Sequence, residues 1–413
     1  MALSTDYRVS SKSDLVRHAA ILLFGVTGVA ALVYLVLAGL PRAAFAFAVT
    51  AALLTLAAIR VRLALVATLV FLVLLVDLRR MLIPVAGWSG TDPLLVVGPA
   101  IAIALTGNAL VRGEIPVDSW ASRCMIVLMA IMLIQVFNPR QGGLIVGVAG
   151  VMFHFVPLLW FWLGKAYGTR SFLQTLLFRV VLGLSGLAML FGLYQSVFGY
   201  LPYQLQWYKI AGYGALGSLE QGLSPITFFA SNTEHAIFVS LGIVLLWSLY
   251  LFKNRSALLP IPVFLGALLV TGVRGPVAKI LIMMSGLWAI KGQTVVSWFT
   301  RGALALGVAA LGLFWSLSGI TQSLDDAPPR VQNRLERQAN EFVRVPTGEQ
   351  EYSSASTHLG MLVHGYRLSL QYPLGVGLGA GTKAAMKFRG GGDTGTGRGD
   401  SSPALGSTET DFG

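Results

Sequence analysis

Residues 63–78 read LALVATLVFLVLLVDL, an apolar run whose one charge, Asp77, comes a single residue before its end. Arg60 and Arg62 precede it, and Arg79 and Arg80 follow. A membrane-crossing helix needs about 20 mostly apolar residues. This run is therefore either a short span or part of a broken helix. Similar runs recur along the whole chain, and together they give eleven candidate spans: 17–40, 43–59, 63–78, 93–111, 120–137, 143–163, 172–199, 235–252, 256–273, 275–291 and 302–320. The second, third, ninth and tenth are short enough to be re-entrant or broken. The first is followed by Ala44-Phe45-Ala46, in the manner of a signal peptide, but its apolar core is too long for one.

Composition agrees with this reading. Of 413 residues, 55% are hydrophobic and 12% are charged. Soluble domains carry about 25% charged residues, so a water-facing surface over this length is excluded. The expected fold is an all-α polytopic membrane protein of about eleven transmembrane helices. Residues 1–320 form the helical bundle, and residues 321–413 form a partly helical segment beyond it. The net charge of +12 suits loops that face anionic headgroups, or a site for an anionic ligand. Nucleic acid is a poor partner for basic residues scattered in short pairs. The single cysteine, Cys124, excludes a disulfide within the chain and any cysteine-based metal site.

Basic residues set the orientation. With a cytoplasmic N-terminus, one side holds Arg60, Arg62, Arg112, Lys165, Arg170, Lys253, Arg255, Lys291 and Arg301. The other holds Arg42, Arg79, Arg80, Arg140, Lys209 and Arg274. The bias leaves Arg274, residues 199–234 and residues 321–413 on the outer face. Within that last segment, RVQNRLERQANEFVRV (330–345) has the pattern of an amphipathic surface helix. Thr357 is placed to cap a second helix that ends at Pro373.

No metal cage is visible: His18, His154, His235, His358 and His364 have no metal-ligand spacing. There is no P-loop, and GVGLGAG follows a proline instead of opening a βαβ unit. Arginine on the outer face is more informative. Arg274 sits in VTGVRGPVAK, among helix-breaking Gly272, Gly275 and Pro276. A guanidinium near membrane depth costs roughly 2.5–3.5 kcal/mol on insertion scales, and its fork geometry suits phosphate. An interfacial arginine reaching for headgroups is the plainer alternative. Arg367 lies in HGYRLSLQYPLGVGLGAG, just before a glycine-rich turn whose backbone N–H groups, at Gly377 and Gly379, suit a phosphate. Solvent-facing helix position is the plainer reading there. His358 and His364 are candidate bases, as are Glu409 and Asp411 in SSPALGSTETDFG.

These segments carry a resemblance. VTGVRGPVAK resembles the helix-junction motif of the O-antigen ligase and Wzy-type polysaccharide polymerase superfamily. YRLSLQYPLGVGLGAGT resembles its later arginine-bearing signature, and STETDFG resembles the acidic motif of the exopolysaccharide polymerase branch. FNPRQGGLIVGVAG (137–150) and ITFFASNTEHAIFVSL (226–241) also resemble stretches of that branch. The resemblance implies a GT-C-like membrane glycosyltransferase of the bacterial inner membrane, with its active site facing the periplasm and neither metal nor cofactor. The implied partner is undecaprenyl-diphosphate-linked oligosaccharide, as donor and acceptor, together with the bilayer and a chain-length regulator protein. On that resemblance Arg274 and Arg367 would hold the diphosphate with Gly377 and Gly379, and Glu409 would accept the proton of the attacking hydroxyl. His358, His364 and Asp411 are the substitutes for that base.

The expected function is polymerisation of lipid-linked repeat units. The alternatives are a ligase moving glycan to lipid A core, a lipid-linked glycan flippase or transporter, and a structural subunit of a synthesis complex. STETDFG favours the polymerase, because ligases carry a histidine near the position of Glu409. The family pattern continues past the acidic motif into one or two further spans, whereas this sequence ends at Gly413. The chain is therefore expected to lack the closing helix.

Overall fold

The computed structural model describes residues 27–89, 92–211, 223–291, 294, 296–304, 307, 363, 365–367, 369–373 and 375–380. Among them the secondary structure is helical, with no strands. The helices are α1 (Thr27–Leu37), α2 (Pro41–Ile59), α3 (Val61–Met81), α4 (Leu94–Val111), α5 (Trp120–Gln135), α6 (Leu144–Tyr167), α7 (Arg170–Phe198), α8 (Pro202–Ala211), α9 (Asn232–Phe252), α10 (Ile261–Val270) and α11 (Arg274–Ile290). Six of them, α2, α3, α4, α6, α7 and α9, are long and apolar enough to cross a membrane. The architecture is that of an all-α membrane protein. Helices overlap the expected spans from 17–40 to 275–291, although only six are long enough to cross, while residues 17–26 and most of span 302–320 lie outside the described residues.

Local chemistry explains the helix boundaries. Pro41 opens α2, where its missing N–H costs nothing. Ser119 caps α5 by accepting the Ser122 N–H at 3.2 Å. Ser231 caps α9 by accepting the Glu234 N–H at 3.2 Å, and Glu234 in turn accepts the Ala230 N–H at 3.0 Å. These exchanges resemble a capping box shifted by one residue. Inside α6 a π turn over Val151–Phe155 ends two residues before Pro157, whose ring would otherwise strike the carbonyl one turn back.

Helix α9 is central. Of its span window 56% is buried, against 22–39% for the other five long helices. It packs with α7, α10 and α11 around Val239, Ile243, Leu268 and Ile280. A second core joins α2, α3, α4 and α6 around Ala64, Leu94, Ile101 and Leu163. Small residues allow close approach. The Ser185 hydroxyl on α7 donates to the Phe238 carbonyl at 2.9 Å, and a Cβ on Gly242 would meet both Ser185 and Phe264. By contrast, α5 buries only Ser122 and leaves Ile126, Val127, Leu128, Ile131, Leu133 and Ile134 exposed. A helix with so much apolar surface uncovered among the described residues suits a lipid environment.

Chain direction gives the bundle two ends. At the upper end α2, α4, α6, α9 and α11 begin and α3, α5, α7 and α10 finish. At the lower end the Tyr167 hydroxyl donates to Glu114 at 2.7 Å, and Lys165 donates to Ser119 and Ser122 at 2.7 and 2.9 Å.

Candidate functional site

The upper end contains a buried charged network whose arginines the sequence reading assigned to loops. The span expected over 63–78 runs on to Met81, so Arg79 and Arg80 occupy the last turn of α3 and are 2% and 0% exposed. Basic residues in a final turn complement the helix dipole. Here they also turn inward, because two sets of acceptors are available to them.

The first set forms around Asp92, which sits just before α4. Its carboxylate takes Arg42 from the first turn of α2 and Arg79 Nε at 3.2 Å, and also accepts the Leu94 N–H at 3.0 Å. Arg42 further donates to the carbonyls of Gly87 and Arg79. Arg79 donates to the Ser89 carbonyl at 3.2 Å and lies 4.7 Å from the centre of the Trp88 ring. A buried charge costs several kcal/mol unless it is paired and hydrogen-bonded, and this cluster meets both conditions.

Arg80 is held differently. Its guanidinium lies 4.0 Å from the centre of the Trp207 ring on α8, donates to the Phe229 carbonyl at 2.7 Å and reaches the Thr227 carbonyl at 3.4 Å. Its Nε finds no hydrogen-bond acceptor among the described residues. Asp77, one turn earlier on α3, and Glu234 offset its charge from beyond direct contact. The Asp77 oxygens accept the Tyr203 hydroxyl at 2.9 Å and the Gln204 amide at 3.0 Å.

From there a chain of neutral groups crosses to α9. Gln204 accepts from Gln195 at 2.8 Å, and Gln195 accepts the backbone N–H groups of Ile226 and Thr227 at 3.0 and 2.8 Å. The Thr227 hydroxyl meets His235 Nδ1 at 3.0 Å. Thr227 has φ +48°, the one non-glycine in the left-handed region among the described residues. A β-branched residue there is strained, and it persists only where its surroundings fix it. The Gln195 amide and Arg80 supply that fixation. Tyr203, on α8 and outside the long spans, has its hydroxyl pKa raised by burial and then by the neighbouring Asp77 carboxylate.

The sequence-derived residues distribute as follows. Arg274 forms the first turn of α11, after the junction at Gly272, whose φ of +79° breaks the run from α10. That junction touches the start of α9 through the Asn232 amide and the Thr271 carbonyl, 3.5 Å apart. Arg367 is exposed, among the helical residues 365–367 and 369–371. Gly377 and Gly379 pack on the turn between α5 and α6. His358, His364, Glu409 and Asp411 lie outside the described residues. No group of three or more metal-ligating side chains occurs among the described residues. Sequence reasoning missed Arg42, Asp77, Arg79, Arg80 and Asp92 as a unit, and missed the glutamine relay altogether.

The stretches 137–150 and 372–380 meet. The Asn138 amide donates to the Gly375 carbonyl at 3.3 Å, the Leu378 N–H donates to the Gln135 carbonyl at 3.3 Å, and Arg140 lies 5.2 Å from the centre of the Tyr372 ring. Comparison with family models, with curated proteins and with solved structures gave no match to this chain.

Proposed function

We propose that the protein is a membrane glycosyltransferase that polymerises undecaprenyl-diphosphate-linked oligosaccharide repeat units on the periplasmic face. One observation carries the reading. Four of the five stretches singled out by the resemblance, 137–150, 226–241, 270–279 and 366–382, meet at the upper end as two pairs. The encounters are Asn138 with Gly375, 237 residues apart, and Asn232 with Thr271.

On this reading Arg274 and Arg367 hold the diphosphate and stabilise the charge that builds as it departs. Glu409 takes the proton of the acceptor hydroxyl, with Asp411, His358 and His364 as substitutes. The buried network around Arg80 fixes the Thr227–Ser231 turn from which α9 starts.

The test is reconstitution: purified protein in nanodiscs with undecaprenyl-diphosphate-linked repeat units, products resolved as a ladder on a gel. A ladder that survives EDTA and disappears in Arg274→Ala supports the reading. Translocation of the lipid-linked unit across vesicles with no ladder would overturn it in favour of a flippase.

A further inference from the structure

The turn joining α5 to α6 is built around one fully enclosed amide. Gln141 is 1% exposed. Its Nε2 donates to the Val136 carbonyl, on its own turn, and its Oε1 accepts the backbone N–H of Gly379 at 3.3 Å. A single amide therefore ties the turn to itself and to a segment 238 residues away. The backbones on either side are in contact. A Cβ on Gly150 would stand 2.6 Å from the Gly379 nitrogen, one on Gly379 would overlap the Val146 carbonyl, and one on Gly377 would overlap Gln141. Gly379 and Ala380 are buried in this seam, while Arg367 and Tyr372 just ahead of it are exposed.

We propose that Gln141 is a positioning residue of the glycosyl transfer. It latches residues 375–380 onto the α5–α6 turn and so fixes where the Arg367-bearing helical residues stand at the upper end. The proposal rests on the polymerase reading for what Arg367 does, and on the seam geometry for how Arg367 is held. An arginine that must meet a diphosphate oxygen tolerates little displacement, since about 1 Å of misplacement costs up to roughly a hundredfold in rate. A helical segment whose described residues, 363, 365–367 and 369–371, are all exposed depends on such an anchor. Glutamine suits the task because it donates and accepts at once. Glutamate keeps the acceptor for Gly379 but loses the donor for Val136, and alanine loses both.

The test uses the full chain in nanodiscs, as wild type, Gln141→Ala and Gln141→Glu. Backbone hydrogen exchange over 375–380 reads the latch, and saturation with the lipid-diphosphate donor reads positioning. The expected result is faster exchange in Gln141→Ala, with kcat/KM for the donor lowered about ten- to a hundredfold and kcat carrying much of the loss. Gln141→Glu, which sets an unpaired carboxylate oxygen against the Val136 carbonyl in a buried site, should loosen the latch at least as much as alanine on both readouts. Unchanged exchange in Gln141→Ala overturns the latch. Faster exchange with unchanged KM and kcat overturns the positioning role and leaves a structural seam. A wild-type protein that makes no ladder overturns the polymerase reading, and the positioning role with it, while exchange alone still decides the latch. Should Gln141→Ala fail to fold, Gly150→Ala forces the same separation from the α6 side, by overlap with the Leu378–Gly379 backbone.

Discussion

Arg80 shows how one side chain can organise a site without an ion pair at hydrogen-bond distance. Its plane rests on Trp207, and its two terminal nitrogens hold the carbonyls on either side of Phe228. Arg80→Ala would leave two carbonyls and the Asp77 carboxylate short of a cation. Removing one member of a buried charged set costs about 3–5 kcal/mol, so detergent-solubilised protein should show a large fall in unfolding temperature. Arg80→Lys keeps the charge but not the flat face or the fork, and should recover only part of the loss; full recovery would show that charge alone matters. Tyr203 gives a pH signature at the same site. Its raised hydroxyl pKa means that the phenol keeps its proton to higher pH in the fold than in the unfolded chain, where the value is 10.0. The contribution is therefore complete below pH 10.0 and is lost as pH rises through the folded value. The unfolding-temperature difference between wild type and Tyr203→Phe should be flat from about pH 7 to 9 and should shrink above about pH 10. A constant difference across that range would contradict the Asp77–Tyr203 bond.

At the scale of elements, the apolar runs were readable from the sequence and their charged ends were not. Hydropathy marks where a helix crosses lipid, but it cannot tell whether the arginine after the run meets water or protein. Arg79 and Arg80 were read as a loop because a pair of arginines after an apolar run usually is one. Their acceptors lie up to 149 residues further along the chain. Gln195 and Gln204 carry no periodic or charge signal, so a relay of amides is invisible before the fold is known. The convergence of 137–150 with 366–382 was legible as two separate stretches and not as a contact. Packing between elements follows the same rule: which glycine is an interface glycine depends on its neighbour. Gly242 faces Ser185 and Phe264, whereas Gly266 and Gly286 face open space. Gly242→Val should destabilise the α7–α9 contact by about 1–3 kcal/mol through overpacking. Gly266→Ala and Gly286→Ala should be neutral or slightly stabilising, since alanine is the better helix former. Equal losses at all three positions, measured by thermal unfolding in one detergent, would mean that the α7–α9 face is not the close contact it is in this fold.

For the molecule as a whole, burial changes the charge count that decides orientation. In sequence, the arginines at 42, 79 and 80 weigh against a cytoplasmic lower end. In the fold they are enclosed by protein and meet acceptors instead of headgroups, so they exert no pull on the orientation of the bundle. Removing them leaves Arg140, Lys209, Lys279 and Arg367 as the exposed cations towards the upper end among the described side chains. Arg60, Arg62, Arg112, Arg123, Arg170, Lys253, Arg255 and Lys291 are all exposed at the lower end. The asymmetry keeps the direction that the sequence gives, and positive charge near span ends favours the cytoplasm. A fluorescent reporter inserted at Asn254 should therefore light up in the cytoplasm, and alkaline phosphatase inserted at Gly199 should be active outside it. Reversed signals would put the arginine network and the Arg274 junction on the cytoplasmic side. A periplasmic polymerase could not work in that orientation, so the reversal would remove the proposed function along with the topology.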